Sequence, residues 1–181
     1  MKKYLLFVLI LFCSITYAQE NYKGKISLTF NKEKIELPFN LVSLRKENNV
    51  VISARAELNN ENIQQLISLE WEVKKLSTSD KDLNLYDTFL LNVINNKKGK
   101  KNELLFRMNN NGKNGKLVVQ KGTRIWDLTS FAMKFNIKNI SFENSSIVIK
   151  GNLSLKARDK NSKTPMKPIS EIKDCEFEIV I

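Results

Sequence analysis

The chain has 181 residues, a formal net charge of +11 and no histidine. The missing imidazole excludes Ser-His and Cys-His triads and removes the commonest metal ligand and general base. Cysteine is confined to Cys13 and Cys175, so no internal disulfide survives if the first eighteen residues are a cleaved leader.

Residues 1–18 read as a secretory signal peptide. Lys2 and Lys3 give a positive n-region, and Leu5 to Phe12 give an apolar h-region. Thr16-Tyr17-Ala18 offers small residues at −3 and −1 of a cut before Gln19. The apolar run is too short for a membrane span, and no second one occurs. Phe12 before Cys13 argues against lipid attachment, where a small residue is needed. The expected product is residues 19–181, a single periplasmic or secreted domain with no transmembrane segment. Loss of two lysines lowers its charge from +11 to +9.

Alternation of apolar and polar residues dominates the rest of the chain. Ile26, Leu28 and Phe30 share one face of a first strand. Ile35, Leu37 and Phe39 repeat the pattern, and Pro38 marks that segment as an edge strand or a bulge. Lys46 to Asn49 reads as a turn before a longer strand over Val50 to Leu58. Residues 61–76 are expected to make a helical turn at Ile63 and then a strand carrying Ile67, Leu69, Trp71 and Val73. Ser77 to Asn84 reads as a polar loop. Phe89, Leu91 and Val93 form the next strand, succeeded by a turn over Asn95 to Asn102 centred on Gly99. Leu104, Phe106 and Met108 alternate up to the turn signal Asn109-Asn110-Asn111-Gly112. A short strand at Leu117 to Gln120 precedes a connection over Gly122 to Ser130 that contains Trp126. Phe131, Met133, Phe135 and Ile137 alternate, as do Ile147 to Ala157 with Gly151 in the middle. That glycine predicts a bulge or a close backbone approach. Residues 158–170 read as a polar loop with Pro165 and Pro168. Cys175, Phe177, Ile179 and Ile181 close the chain as a strand. About ten strands without a sustained helical period predict an all-β fold, an antiparallel β-sandwich. A closed lipocalin-like β-barrel is the alternative.

The basic charge has two readings. Lysines number 25, arginines 5 and asparagines 22, the signature of compositional drift rather than of arginine-built phosphate recognition. Specific nucleic-acid binding is therefore not expected. The remaining candidate ligand site is Trp126 beside Arg124, together with the turn cluster Lys97, Lys98, Lys100 and Lys101. Trp126 is expected first as a core residue and second as a stacking platform. If residues 86–121 form a meander, the turns at 97–101 and 109–116 lie at opposite ends of the sheet. A third basic run covers Lys156 to Lys167.

Other motifs favour structural readings. Asp80-Lys81-Asp82-Leu83-Asn84 resembles the opening of a calcium loop. Leu85 replaces the turn glycine and Leu91 the closing carboxylate, leaving at most a surface calcium site at Asp80 and Asp82. Ser43 with Lys46, and Ser170 with Lys173, fit Ser-x-x-Lys but lack the companion motifs of serine acyltransferases. Glu70 and Glu72 flank Trp71 as a solvated strand face, with a carboxylate pair as the rival reading. Cys175, on an apolar face, reads as an inert core thiol.

The stretch from Ile140 to Leu155 and the last strand, Ile172 to Ile181, resemble the closing strand pair of small uncharacterised secreted β-sandwich proteins of the Bacteroidota. Leu153 replaces the aromatic of the first Gly-x-Phe pattern there, and Cys175 stands at the second glycine. The Ala18-Gln19 junction is similar to leaders from that phylum. The resemblance implies a sandwich fold and an exported product, and carries no activity or site residues. The functional expectation is an exported non-enzymatic binding or interaction module of the bacterial envelope, with an envelope protein or glycan as partner and no cofactor. A barrel carrier of an apolar ligand and a carboxylate-based glycan-active enzyme are the alternatives.

Overall fold

The computed structural model describes residues 23–46, 48–76, 86–109, 114–128, 131–157 and 169–181. Among these residues twelve strands succeed one another in chain order: β1 (Gly24–Phe30), β2 (Glu33–Pro38), β3 (Leu41–Lys46), β4 (Val50–Asn59), β5 (Ile63–Val73), β6 (Thr88–Lys97), β7 (Lys100–Asn109), β8 (Asn114–Lys121), β9 (Arg124–Leu128), β10 (Phe131–Glu143), β11 (Ser146–Ala157) and β12 (Ser170–Val180). They form two antiparallel sheets, a small one ordered β10-β11-β12-β1-β2 and a large one ordered β3 to β9. The fold is an all-β sandwich. The closed-barrel alternative is overturned, because β2 and β10 remain edges of one sheet and β3 and β9 edges of the other.

The two strands beyond the expected ten are β3 and β9, both sheet edges. The helical turn expected at Ile63 is also corrected. β5 is a continuous strand that pairs with β4 on one side and β6 on the other from its first residues. Asn60 makes the local difference: its side-chain oxygen accepts from the amides of Asn62 and Ile63 and closes a hairpin. The broad turn expected over 95–102 contracts to two residues, Lys98 and Gly99. Both have positive φ, 49° and 77°, which matches the right-handed twist of the flanking strands. Pro38 ends edge strand β2, as the sequence predicts.

Inner faces of both sheets supply one continuous apolar core, from Ile26, Leu28 and Phe30 through Trp71, Phe89 and Phe106 to Phe177 and Ile179. Ring contacts show how the sheets cross. Phe131 packs on Phe106 of β7 at 5.0 Å between centroids. Phe135, four residues later on β10, lies 4.4 Å from Phe89 of β6 and 5.7 Å from Trp71 of β5. One short piece of β10 thus touches three neighbouring strands of the large sheet and runs obliquely over them. Gly151 permits part of this packing, since a Cβ there would lie 2.4 Å from the Phe177 ring and 2.8 Å from the Asn136 carbonyl oxygen. The register shift it foreshadows falls on the facing strand, between Ile137 and Asn139. No helix among the described residues is long and apolar enough to cross a membrane.

Candidate functional site

Cross-strand pairing turns single residues into rows, and two adjacent rows on the inner face of the large sheet differ in kind. Ala56, Ile67, Val93, Leu104, Val119 and Trp126 stand side by side on β4 to β9 and form an apolar row. The next row outward reads Leu58, Gln65, Asn95, Asn102, Lys121 and Arg124. Beyond it Lys97 pairs with Lys100 beside the Lys98-Gly99 turn. The inner face therefore ends in a polar, cationic rim, the mouth of the sandwich.

The mouth is tied to the small sheet through Glu33 at the start of β2. Its carboxylate accepts from Asn95 Nδ2 at 2.9 Å and from Lys97 Nζ at 2.7 Å. Gln65 Nε2 donates to Asn95 Oδ1 at 3.2 Å, which satisfies two amides that are buried on the inner face. The hydrogen bond from Lys97, then that from Asn95, hold the Glu33 carboxyl below its ordinary range. Lys121 is half-buried, and burial lowers its ammonium pKa while the Glu171 carboxylate acts the other way. Glu171 is itself positioned by Asn31, whose side-chain oxygen accepts from the Glu171 amide and from Ser170 Oγ.

Three hairpin turns meet at this end. The Lys98 amide donates to the Asn62 carbonyl, and the Gly122 amide donates to the Lys101 carbonyl. Among the described residues, Lys98, Lys100 and Arg124 reach this end without an ion pair. Glu33, bonded to Lys97, and Glu171, acting on Lys121, bring carboxylates to this end. A rim of this kind can hold an anionic group through lysine and arginine heads while asparagine amides fix its orientation.

The sequence-derived candidates divide here. Lys97, Lys100 and Arg124 lie on the inner-face side with Trp126, and Lys98 sits at the tip of the turn. Lys101 faces the opposite way, 2.7 Å from Glu103. Trp126 is partly buried and packs against the core. Asn95, Asn102, Gln65 and Lys121 escape a reading of the sequence alone. A signal for them exists: at Gln65-Leu66 and Ile94-Asn95 the alternation falls out of phase, with the polar side chain turned inward.

Other candidates are placed elsewhere. Asp80, Asp82 and most of the Lys156–Lys167 run lie outside the described residues. Lys116 pairs with Asp127 at 3.2 Å, and the Asn109–Asn114 pair that closes the β7-β8 ladder lies at the other end of the sheet, as the meander predicts. Glu70 accepts from Ser53 Oγ at 2.7 Å and Glu72 from Asn49 Nδ2 at 2.8 Å, both on the outer face opposite buried Trp71. Ser43 and Lys46 fall on opposite faces of β3, while Ser170 bonds Asn31 and Lys173 pairs with Glu171. Burial pushes the Cys175 thiol up to about 12. Comparison with protein-family models, curated proteins and solved structures returns no match.

Proposed function

We propose that this chain is an exported, non-enzymatic binding module of the bacterial cell envelope that takes an anionic ligand, such as an acidic glycan, at the cationic mouth. The single observation that carries this reading is the row switch on the inner face, where Lys97, Lys100, Lys121 and Arg124 stand in two neighbouring rows at the end of the sheet. Export rests on the leader-like residues 1–18. Lys97 is matched by Glu33 and Lys121 faces Glu171, so Lys98, Lys100 and Arg124 supply the net attraction.

Heparin, an acidic glycan, is a suitable probe. The wild-type chain is expected to stay bound above about 0.15 M salt, where diffuse surface charge is screened over roughly 8 Å. The Lys100→Glu/Arg124→Glu pair is expected to elute earlier than Lys25→Glu/Lys138→Glu, which removes the same charge from the outer face of the small sheet. Equal elution of the two pairs, or loss of the wild type at low salt, would show that net charge alone is responsible.

A further inference from the structure

The outer face of the large sheet interrupts its solvated ion pairs, Arg55–Glu57, Lys101–Glu103 and Lys116–Asp127 among them, with an apolar patch. On β5 to β9 it carries Leu66, Leu90, Ile94, Leu105, Val118 and Ile125. Leu66 lies opposite Ile94 and Leu105 opposite Val118, while Leu90, Ile94 and Ile125 are diagonal neighbours that close the patch. Leu105 is 41% exposed and Ile125 66%. The same face holds the side-chain oxygens of Asn92, Asn96 and Asn109, each buried without a hydrogen-bond partner. Buried unpaired oxygens are unfavourable, and a face that collects three of them beside exposed leucine is poorly satisfied as a free surface.

Charge order along β7 indicates what covers it. Glu103, Leu105 and Arg107 succeed one another on this face. Arg107 is exposed and has no ion pair among the described residues. We propose that a second copy of this chain packs here, about a two-fold axis that lies in the interface and crosses the strands at Leu105. That axis sets Leu105 on its own mate, Ile94 on Leu90 and Asn92 on Asn92. It also sets each Arg107 against the other copy's Glu103. An axis along the strands would instead oppose Glu103 to Glu103 and Arg107 to Arg107, two like pairs on β7, against the single Asp127–Asp127 approach that the first axis makes on β9, where Lys116 already pairs with Asp127. Five strands at ~4.8 Å and three residue rows at ~6.8 Å give a footprint of roughly 24 by 20 Å. That is about 480 Å² per copy, a little over half of the ~800 Å² each partner buries in a standard interface and the size of a weak, concentration-dependent contact. The inner faces stay free, and the axis sends the two mouths to opposite ends of the dimer.

Sedimentation equilibrium of the purified chain tests this. A dimer is expected, weakened about tenfold or more by Leu105→Asp with the far-UV spectrum unchanged. Arg107→Glu alone should weaken it as well, and adding Glu103→Arg to that variant should restore most of the affinity, a readout independent of how Leu105→Asp folds. A wild-type chain still monomeric at about 100 µM would overturn the proposal. So would a dimer indifferent to Leu105→Asp, or a charge swap that fails to rescue.

Discussion

The two sheets solve the same packing problem differently. Three of the four ladders in the small sheet contain register shifts, between Ser27 and Thr29, Ile137 and Asn139, and Leu153 and Leu155. None of the six ladders in the large sheet does. The outer faces differ as well. Around Lys25, Glu36, Lys138, Lys150, Glu176 and Glu178 the small sheet shows cross-strand pairs such as Lys150–Glu178 at 2.9 Å and Lys138–Glu176 at 3.2 Å, lining a shallow groove of about 320 Å³. The large sheet carries ion pairs too, such as Lys101–Glu103 at 2.7 Å and Lys116–Asp127 at 3.2 Å, but sets exposed leucine and isoleucine and unpartnered asparagine between them. Bulges raise local twist and bend a sheet. The small sheet is thus shaped to lie across the core and is finished with charge. The regular sheet keeps its side chains in straight rows, which is why one row can be a mouth and another a docking strip.

Four expected outcomes probe that contrast. The largest belongs to the bent sheet. Gly151→Val places carbon against the Phe177 ring and the Asn136 carbonyl, and should cost about 3 kcal/mol in urea unfolding monitored by tryptophan fluorescence. A cost near zero would mean that the bend is not imposed by close packing at Gly151. Asn95→Ala, in a straight row of the large sheet, removes the link between Gln65 and Glu33 and should cost about 2 kcal/mol. If it stabilises the protein, the mouth is not the junction between the sheets.

Smaller effects are expected in the small sheet. The Cys175 thiol has its pKa raised by burial from 9.0 to about 12 in the folded chain. Below the unfolded value both states hold the proton and nothing is lost. As pH rises above it only the unfolded chain ionises, so stability should fall by about 1 kcal/mol near pH 10. Cys175→Ala should lack that alkaline slope in denaturant titrations, and a slope that persists would put its origin in other groups. Least of all, Lys150→Ala should change stability by under ~0.5 kcal/mol, because its pair with Glu178 is solvent-screened. A larger loss would make the charged outer face a structural element rather than a finish.

Legibility in the sequence divides along the same line. Ile26-Leu28-Phe30, Val50 to Leu58, Leu104-Phe106-Met108 and Cys175-Phe177-Ile179 alternate in phase with burial, and each is a strand as expected. The alternation fails where the large sheet breaks the inside-outside rule. Gln65 points inward and Leu66 outward, which gives the start of β5 a helical look in sequence. Asn95 points inward beside outward Ile94, which makes a two-residue turn read as a broad one. β3 is hidden because Leu41 stands on the outer face while Val42 and Leu44 face the core. β9 places exposed Ile125 beside half-buried Trp126, with the same effect. Of the candidate site, Lys97, Lys98, Lys100 and Arg124 are legible as a basic group, whereas Lys101, their neighbour in sequence, belongs to the opposite face.

The sequence by itself determined the strand class, most strand positions, the absence of histidine chemistry and the inert character of the lone core cysteine. Side-chain period and residue type are local properties, so they can be read along one strand. Tertiary structure alone decided that the strands form two separate sheets rather than a barrel. It also put Lys100, Lys121 and Arg124 on one rim, and brought Leu105, Val118 and Ile125 together on one face. A row exists only once register fixes which residues stand abreast, and register is a property of pairs of strands rather than of any one of them.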